Sequence, residues 1–142
     1  MIMVELIIIL VIAILLYAVM ARGSRRSARK NSGRAKGYDR ELVATRWAGI
    51  EAQAAANGGA KGAISEADKL FDYVLKGMGF AGETMAERLK RAESRLSNKN
   101  GVWAAHKLRN ALAHEIGFEV AASHAREALA DYHRGLQDLG AL

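Results

Sequence analysis

From residue 39 to the end of the chain, apolar positions recur every three to four residues, which is the spacing of an amphipathic α-helix. Short polar or glycine-containing stretches divide this pattern into five segments, and none shows the alternation typical of a strand. We therefore predict helices near residues 39–56, 60–76, 84–96, 102–116 and 123–139. Because each is amphipathic and the connections are short, the predicted fold is all-α, a compact antiparallel bundle of about five helices.

The ends of these helices carry their own signals. Thr84 followed three residues later by Glu87 is a capping box, and the glycines near residues 58 and 77 are typical helix stops. The residues predicted to form the core are Leu42, Val43, Trp47, Ile50, Ala54, Ile64, Ala67, Leu70, Phe71, Val74, Leu75, Met78, Met85, Leu89, Ala92, Leu96, Ala105, Leu108, Leu112, Ile116, Ala125, Ala128, Leu129, Tyr132, Leu136 and Leu139.

The N-terminus has a different pattern. Residues 6–21 carry no charge, and residues 2–4 extend the apolar segment past Glu5. Since about 20 helical residues cross a hydrocarbon core, we predict a single transmembrane helix within residues 1–21. A cleaved signal peptide is the alternative; the small residues near Ala21 favour it, while Glu5 and the lack of a positive N-terminal region oppose it.

Charge is distributed unevenly along the chain, whose 21 Lys and Arg and 15 Asp and Glu give a net charge of +6. Residues 22–37 are basic and contain no acid, whereas the acids and bases of residues 38–142 balance. By the positive-inside rule, the protein is predicted to lie in the inner (cytoplasmic) membrane as a single-pass protein, with its N-terminus outside and residues 38–142 in the cytoplasm.

Residues 22–37 are also rich in Ser and Gly, which predicts a flexible juxtamembrane linker whose cations contact anionic lipid headgroups. A nucleic-acid-binding arm is the alternative. The neutral charge of residues 38–142 gives no support to nucleic-acid binding by the helical domain. The absence of cysteine excludes disulfides and thiolate zinc sites.

The fourth predicted helix carries a polar face that is distinct from its apolar stripe. At 100° per residue, this face holds Trp103, His106, Arg109, Asn110 and His114. A permanent cation, an amide, an aromatic ring and two groups that titrate near neutrality therefore share one side of a helix.

The segment from Arg109 to His114, RNALAH, resembles the motif of HEPN (higher-eukaryote and prokaryote nucleotide-binding) domains, in which an arginine and a polar residue precede a histidine. ISEADKLFDYVLK and GETMAERLK also look like segments of small bacterial proteins. HEPN domains are compact helical bundles, many of them metal-independent endoribonucleases that dimerise with their motifs facing each other. The resemblance thus implies catalytic roles for Arg109, Asn110 and His114, a homodimer and no cofactor or metal.

These residue types suit cleavage of RNA through its own 2′-OH. His114 can transfer protons near neutral pH, and Arg109 can stabilise the charge that develops on the phosphate. Asn110 would orient either group, and Trp103 would stack a base. His106 either supports this site or has only a structural role.

Two further groups are candidates for support. Asp68 and Asp72 lie one turn apart on the second helix and are expected either to approach the fourth helix, where they would pair with Arg109 or fix a histidine tautomer, or to be solvated. A ridge of Arg88, Arg91 and Arg95 on the third helix would follow a phosphate backbone, or else be an ordinary charged surface. The residues predicted to bind RNA or to support the catalytic residues are therefore Trp103, His106, Asp68, Asp72, Arg88, Arg91 and Arg95.

Two functional hypotheses follow from the sequence. The first is a membrane-tethered HEPN-like domain that cleaves or binds RNA. The second is a non-catalytic helical module that uses the same face to bind a protein or a nucleotide at the cytoplasmic membrane surface. The Arg109-to-His114 motif favours the first, and the neutral charge of the domain favours the second.

Overall fold

A computed structural model of the protein describes residues 37–142, which belong to one compact unit. They form five α-helices and a short 3₁₀ turn, Glu93–Arg95, and this part of the chain contains no strand. The all-helical prediction is therefore confirmed for the described residues. The helices are α1, Arg40–Ala55; α2, Ala60–Gly77; α3, Met85–Ala92; α4, Lys99–His114; and α5, Ala122–Asp138.

The central element is α2, which packs against each of the other four helices, while α4 and α5 also pack against each other. Its apolar stripe is correspondingly wide, and Ile64, Phe71 and Val74 are completely buried. Gly135 of α5 permits a close approach to α2, since a Cβ atom there would lie 2.6 Å from Cε2 of Phe71. The helices that carry the polar residues of interest are therefore held against one common neighbour.

Local hydrogen bonds explain where several helices begin. The backbone N–H of Glu87 donates to Oγ1 of Thr84 at 3.2 Å, while the Glu87 carboxylate accepts from the backbone N–H of Glu83 and not from that of Thr84. Asn98 caps α4 by accepting from the backbone N–H of Gly101 at 3.2 Å. This cap starts α4 three residues before the predicted position, within the segment expected to be a turn.

Two predicted core residues are wrong. Ile116 is fully exposed because α4 ends at His114, so that the chain has left the helix before it reaches this residue. Leu42 is 40% exposed because only one side of α1 is covered; Val43 and Trp47 occupy that side.

The predicted membrane anchor at residues 1–21 lies outside the described residues, as does the predicted linker at 22–37 except for its last residue. Within residues 37–142, no helix combines the length and apolar character needed to cross a bilayer.

Candidate functional site

A buried carboxylate on α2, that of Asp68, contacts the polar residues of α4. Asp68 is 5% exposed, and its Oδ1 accepts a hydrogen bond from the Tyr132 hydroxyl at 2.6 Å and lies 2.7 Å from Nδ1 of His106. Its Oδ2 lies 3.5 Å from Nε of Arg109. A buried carboxylate destabilises the fold unless it is paired. The contacts of Asp68 supply this pairing, and they link α2 to both α4 and α5.

Asn110 closes these contacts into a ring. Its Nδ2 lies 3.3 Å from Nε2 of His106, and its Oδ1 accepts from Nη1 of Arg109 at 3.1 Å. His106 and Asn110 can meet in this way because residues four apart share a helix face, whereas Arg109 and Asn110 are neighbours in sequence. We call Asp68, His106, Asn110 and Arg109 the Asp68 ring.

Tyr132 supports the ring from α5. Burial, with the charge and hydrogen bond of Asp68, raises the pKa of the Tyr132 hydroxyl far above its ordinary value. The hydroxyl therefore stays protonated and acts as a donor to Asp68. The sequence predicts Tyr132 only as a core residue. Its role at this site could have been expected from the rule that a buried tyrosine hydroxyl generally needs a hydrogen-bond partner.

Arg109 connects the buried ring to the surface. Its side chain is 28% exposed, while its Nε is buried and meets no acceptor with hydrogen-bonding geometry among the described residues. The charge of Asp68 3.5 Å away compensates this buried N–H in part. Arg109 thus presents the outer end of a cation whose inner end is held by the protein.

The three predicted catalytic residues are only partly brought together. Arg109 and Asn110 are in direct contact, but His114 is the exposed last residue of α4 and makes no side-chain hydrogen bond within the described part of the chain. His106, which the sequence left open, is buried in the Asp68 ring.

Trp103 extends the polar face toward α3. Its indole Nε1 donates to the Glu93 carboxylate at 2.8 Å, and its ring meets that of His106 edge-on, with 6.1 Å between centroids. The half-buried indole lines a shallow cleft of about 530 Å³ together with Lys90 and Arg91. An aromatic surface flanked by two cations and by the carboxylates of Glu87 and Glu93 therefore lies next to the Asp68 ring.

The prediction for Asp72 is wrong, since it does not approach α4. One oxygen of its carboxylate accepts from Nε of Arg88 and the other pairs with Nζ of Lys76, both at 2.7 Å. Burial alone would raise the pKa of Asp72, but the hydrogen bonds and charges of Arg88 and Lys76 outweigh it and lower the pKa. The one-turn offset from Asp68 turns this carboxylate toward α3.

The three arginines of the predicted third helix do not form one ridge, because Arg88 is buried, while Arg91 and Arg95 lie on the charged surface that was the alternative. Arg88 is 4% exposed and donates to Asp72 and to the carbonyl of Gly82, so it faces the interior. Arg91 is exposed and donates to the carbonyl of Ala81 at 2.7 Å, and Arg95 is exposed in the 3₁₀ turn. Only these last two present cations to solvent.

Among residues 37–142, no three or more His, Asp or Glu side chains are arranged to hold a metal ion.

No family model matches the chain, and comparisons with curated proteins and with solved structures gave no match.

Proposed function

We propose that the chain is a HEPN-like domain that binds and cleaves RNA without a metal ion. The observation that carries the proposal is the combination of Arg109, held from below and half-buried at the surface, with an exposed His114 farther along the same helix. A pre-oriented cation and an imidazole that can transfer a proton are the two elements that metal-free phosphodiester cleavage needs.

The proposed reaction uses the RNA's own nucleophile. His114 removes the proton from a 2′-OH, whose oxygen attacks the adjacent phosphorus while Arg109 stabilises the charge on the phosphate oxygens. The bond from phosphorus to the 5′ oxygen then breaks, and that oxygen takes a proton from water or from the histidine of a second copy. The products are a 2′,3′-cyclic phosphate and a 5′-hydroxyl end.

Single-stranded RNA is the expected substrate, because its unpaired bases are free to stack on aromatic side chains. The cleft beside Trp103 supports this choice, since the half-buried indole offers an aromatic surface there. Glu93 holds the indole in place through its hydrogen bond.

A second copy of the chain is expected to complete the site. His114 and Ile116 are both exposed, and an exposed isoleucine next to a catalytic histidine suits an interface between copies. His106 is buried within its own chain and is therefore not available to such a contact. The interface would therefore involve the end of α4 and Trp103.

The membrane tether is also part of the proposal. The uncharged residues 6–21 and the basic residues 22–37 support a single-pass protein with residues 38–142 in the cytoplasm, where RNA is available. The basic segment would contact anionic headgroups, which keeps the neutral helical domain close to the inner membrane surface.

The test is incubation of the full-length chain, kept in solution by a mild detergent, with mixed RNA in the presence and absence of a chelator. We expect cleavage that persists in chelator, leaves cyclic phosphate ends and spares DNA, which lacks the 2′-OH. His114→Ala should abolish cleavage, and Arg109→Ala should slow it about 10²- to 10³-fold. The matched controls are His124→Ala and Lys107→Ala, which remove an exposed histidine and an exposed cation and should leave the rate unchanged.

The alternative is a non-catalytic module that binds a protein or nucleotide through the same face. The balanced charge of residues 38–142 favours it, since nucleic-acid-binding domains generally carry excess positive charge. A folded wild-type chain that leaves every RNA intact would support this alternative. Cleavage that survives both the Arg109 and the His114 substitution would show that this face is not the catalyst.

A further inference from the structure

We infer that Asp68, His106 and Asn110 are positioning residues, whose task is to hold Arg109 with one set of N–H groups turned toward a phosphate. The inference deepens the proposed function and rests on it for its RNA readout. Asp68 and His106 lie outside the Arg109-to-His114 motif, and they are joined to it only by the folding of α2 against α4.

The donors of Arg109 can be counted. A guanidinium carries five N–H groups and no acceptor. Its buried Nε lies 3.5 Å from Oδ2 of Asp68 as an ion-pair contact, and one hydrogen on Nη1 is donated to Oδ1 of Asn110. Three N–H groups remain on the outer end of the side chain, enough for a forked contact with two phosphate oxygens.

The hydrogen bonds of the ring are mutually consistent in one arrangement. Because Arg109 can only donate, the Asn110 oxygen must face it, which turns the Asn110 NH₂ toward Nε2 of His106. Nε2 must then accept, so the proton of a neutral His106 lies on Nδ1 and is donated to Asp68. A proton on Nε2 would face the NH₂ group of Asn110, which is also a donor. Turning the Asn110 amide over would bring that NH₂ group against Arg109, which can only donate.

A positioning role and a purely electrostatic role of Asp68 predict opposite effects of its removal on the affinity for a phosphate. The negative charge of Asp68 offsets part of the positive charge of Arg109, so on charge alone its removal would strengthen the binding of a phosphate. If Asp68 instead orients the arginine, its removal weakens binding, because the RNA must then order a long side chain. The sign of the change therefore separates the two roles.

Asp68→Asn makes this test specific. The remaining Oδ1 still accepts from Tyr132 and His106, while an NH₂ group replaces Oδ2 and confronts Nε of Arg109. The matched control is Asp72→Asn, which neutralises a carboxylate one turn away that also pairs with an arginine, but outside the ring. Melting temperatures of both variants show whether a change in affinity merely follows a loss of stability.

The first readout is the affinity of the full-length chain, in detergent, for a short single-stranded RNA. We expect Asp68→Asn to weaken binding about tenfold and Asp72→Asn to leave it unchanged. Unchanged or tighter binding by Asp68→Asn would overturn the positioning role. So would an equal loss in both variants, since the effect would then belong to general stability.

The second readout does not require RNA. In ¹⁵N NMR spectra of the full-length chain, His106 should be protonated at Nδ1 and unprotonated at Nε2, and the Nε–H of Arg109 should exchange more slowly than in Asp68→Asn. Protonation of His106 at Nε2, or equal exchange in both proteins, would overturn the inference even if RNA is bound. Should the wild-type chain bind no RNA and yet give the expected spectra, the proposed function would fail while the arrangement of the ring would stand.

Discussion

Removal of the Tyr132 hydroxyl should destabilise the protein by an amount that depends on pH. In Tyr132→Phe the ring remains, tilted against Phe71 with 5.6 Å between centroids, so that packing in the core is retained. What disappears is a 2.6 Å hydrogen bond to a buried carboxylate. Hydrogen bonds to charged groups contribute about 1.5–3 kcal/mol, which we take as the expected loss in the free energy of unfolding near pH 7.

The pH dependence follows from the raised pKa of Tyr132. In the unfolded chain its hydroxyl ionises near the ordinary tyrosine pKa of about 10, whereas burial and Asp68 keep it protonated in the fold. A group whose pKa is raised by folding contributes stability that is complete below the unfolded pKa and is lost as pH rises above it. The stability difference between wild type and Tyr132→Phe should therefore be constant from about pH 6 to 9 and shrink above about pH 10.

The assay is urea unfolding of both full-length proteins in detergent, followed by circular dichroism at several pH values. Tyr38→Phe is the matched control, because Tyr38 is equally buried but donates to an uncharged acceptor, the carbonyl of Gly140, at 3.4 Å. Its loss should not exceed about 1 kcal/mol. If Tyr132→Phe were as stable as wild type near neutral pH, the Tyr132 bond to Asp68 would not contribute as we have argued.

Three further predictions concern packing, association and topology. Gly135→Ala should destabilise the fold by about 1–2 kcal/mol in the same unfolding assay, because its Cβ would overlap Phe71. The control Gly49→Ala, whose Cβ meets nothing within 4 Å, should stabilise the fold by up to about 1 kcal/mol. Analytical ultracentrifugation should show a dimer that Ile116→Asp dissociates; a strict monomer at high concentration would refute a site shared between copies. A reporter fused after Leu142 should be active in the cytoplasm, and its cleavage by protease added to intact cells would refute the proposed orientation.

Much of the local structure was predictable because its causes lie close together in sequence. The Thr84 cap depends on a residue three positions away, and the helix periodicity depends on neighbours within two turns. The errors also arose locally. Asn98 started α4 early through its own side chain, and α4 ended before Ile116, because a periodic pattern alone does not show where a helix stops.

The division of roles between Asp68 and Asp72 could not be read from the sequence. Both are carboxylates at the edge of one apolar stripe, and both were assigned the same expected partners on α4. They lie four residues apart, and the packing of α2 turns Asp68 toward His106 and Asp72 toward Arg88. The burial of Arg88 could not be predicted for the same reason, since its partner Asp72 lies on another helix.

The sequence by itself determined the amphipathic helices, the position of the uncharged segment and the adjacency of Arg109 and Asn110 on one helix, since periodicity and spacing depend only on order along the chain. The tertiary structure alone decided that His106 is buried beneath that face and that Asp68 and Tyr132 reach it from two other helices. These contacts join residues 38 and 64 positions apart. No local rule specifies which of several polar groups will meet when a buried charge must find its partners.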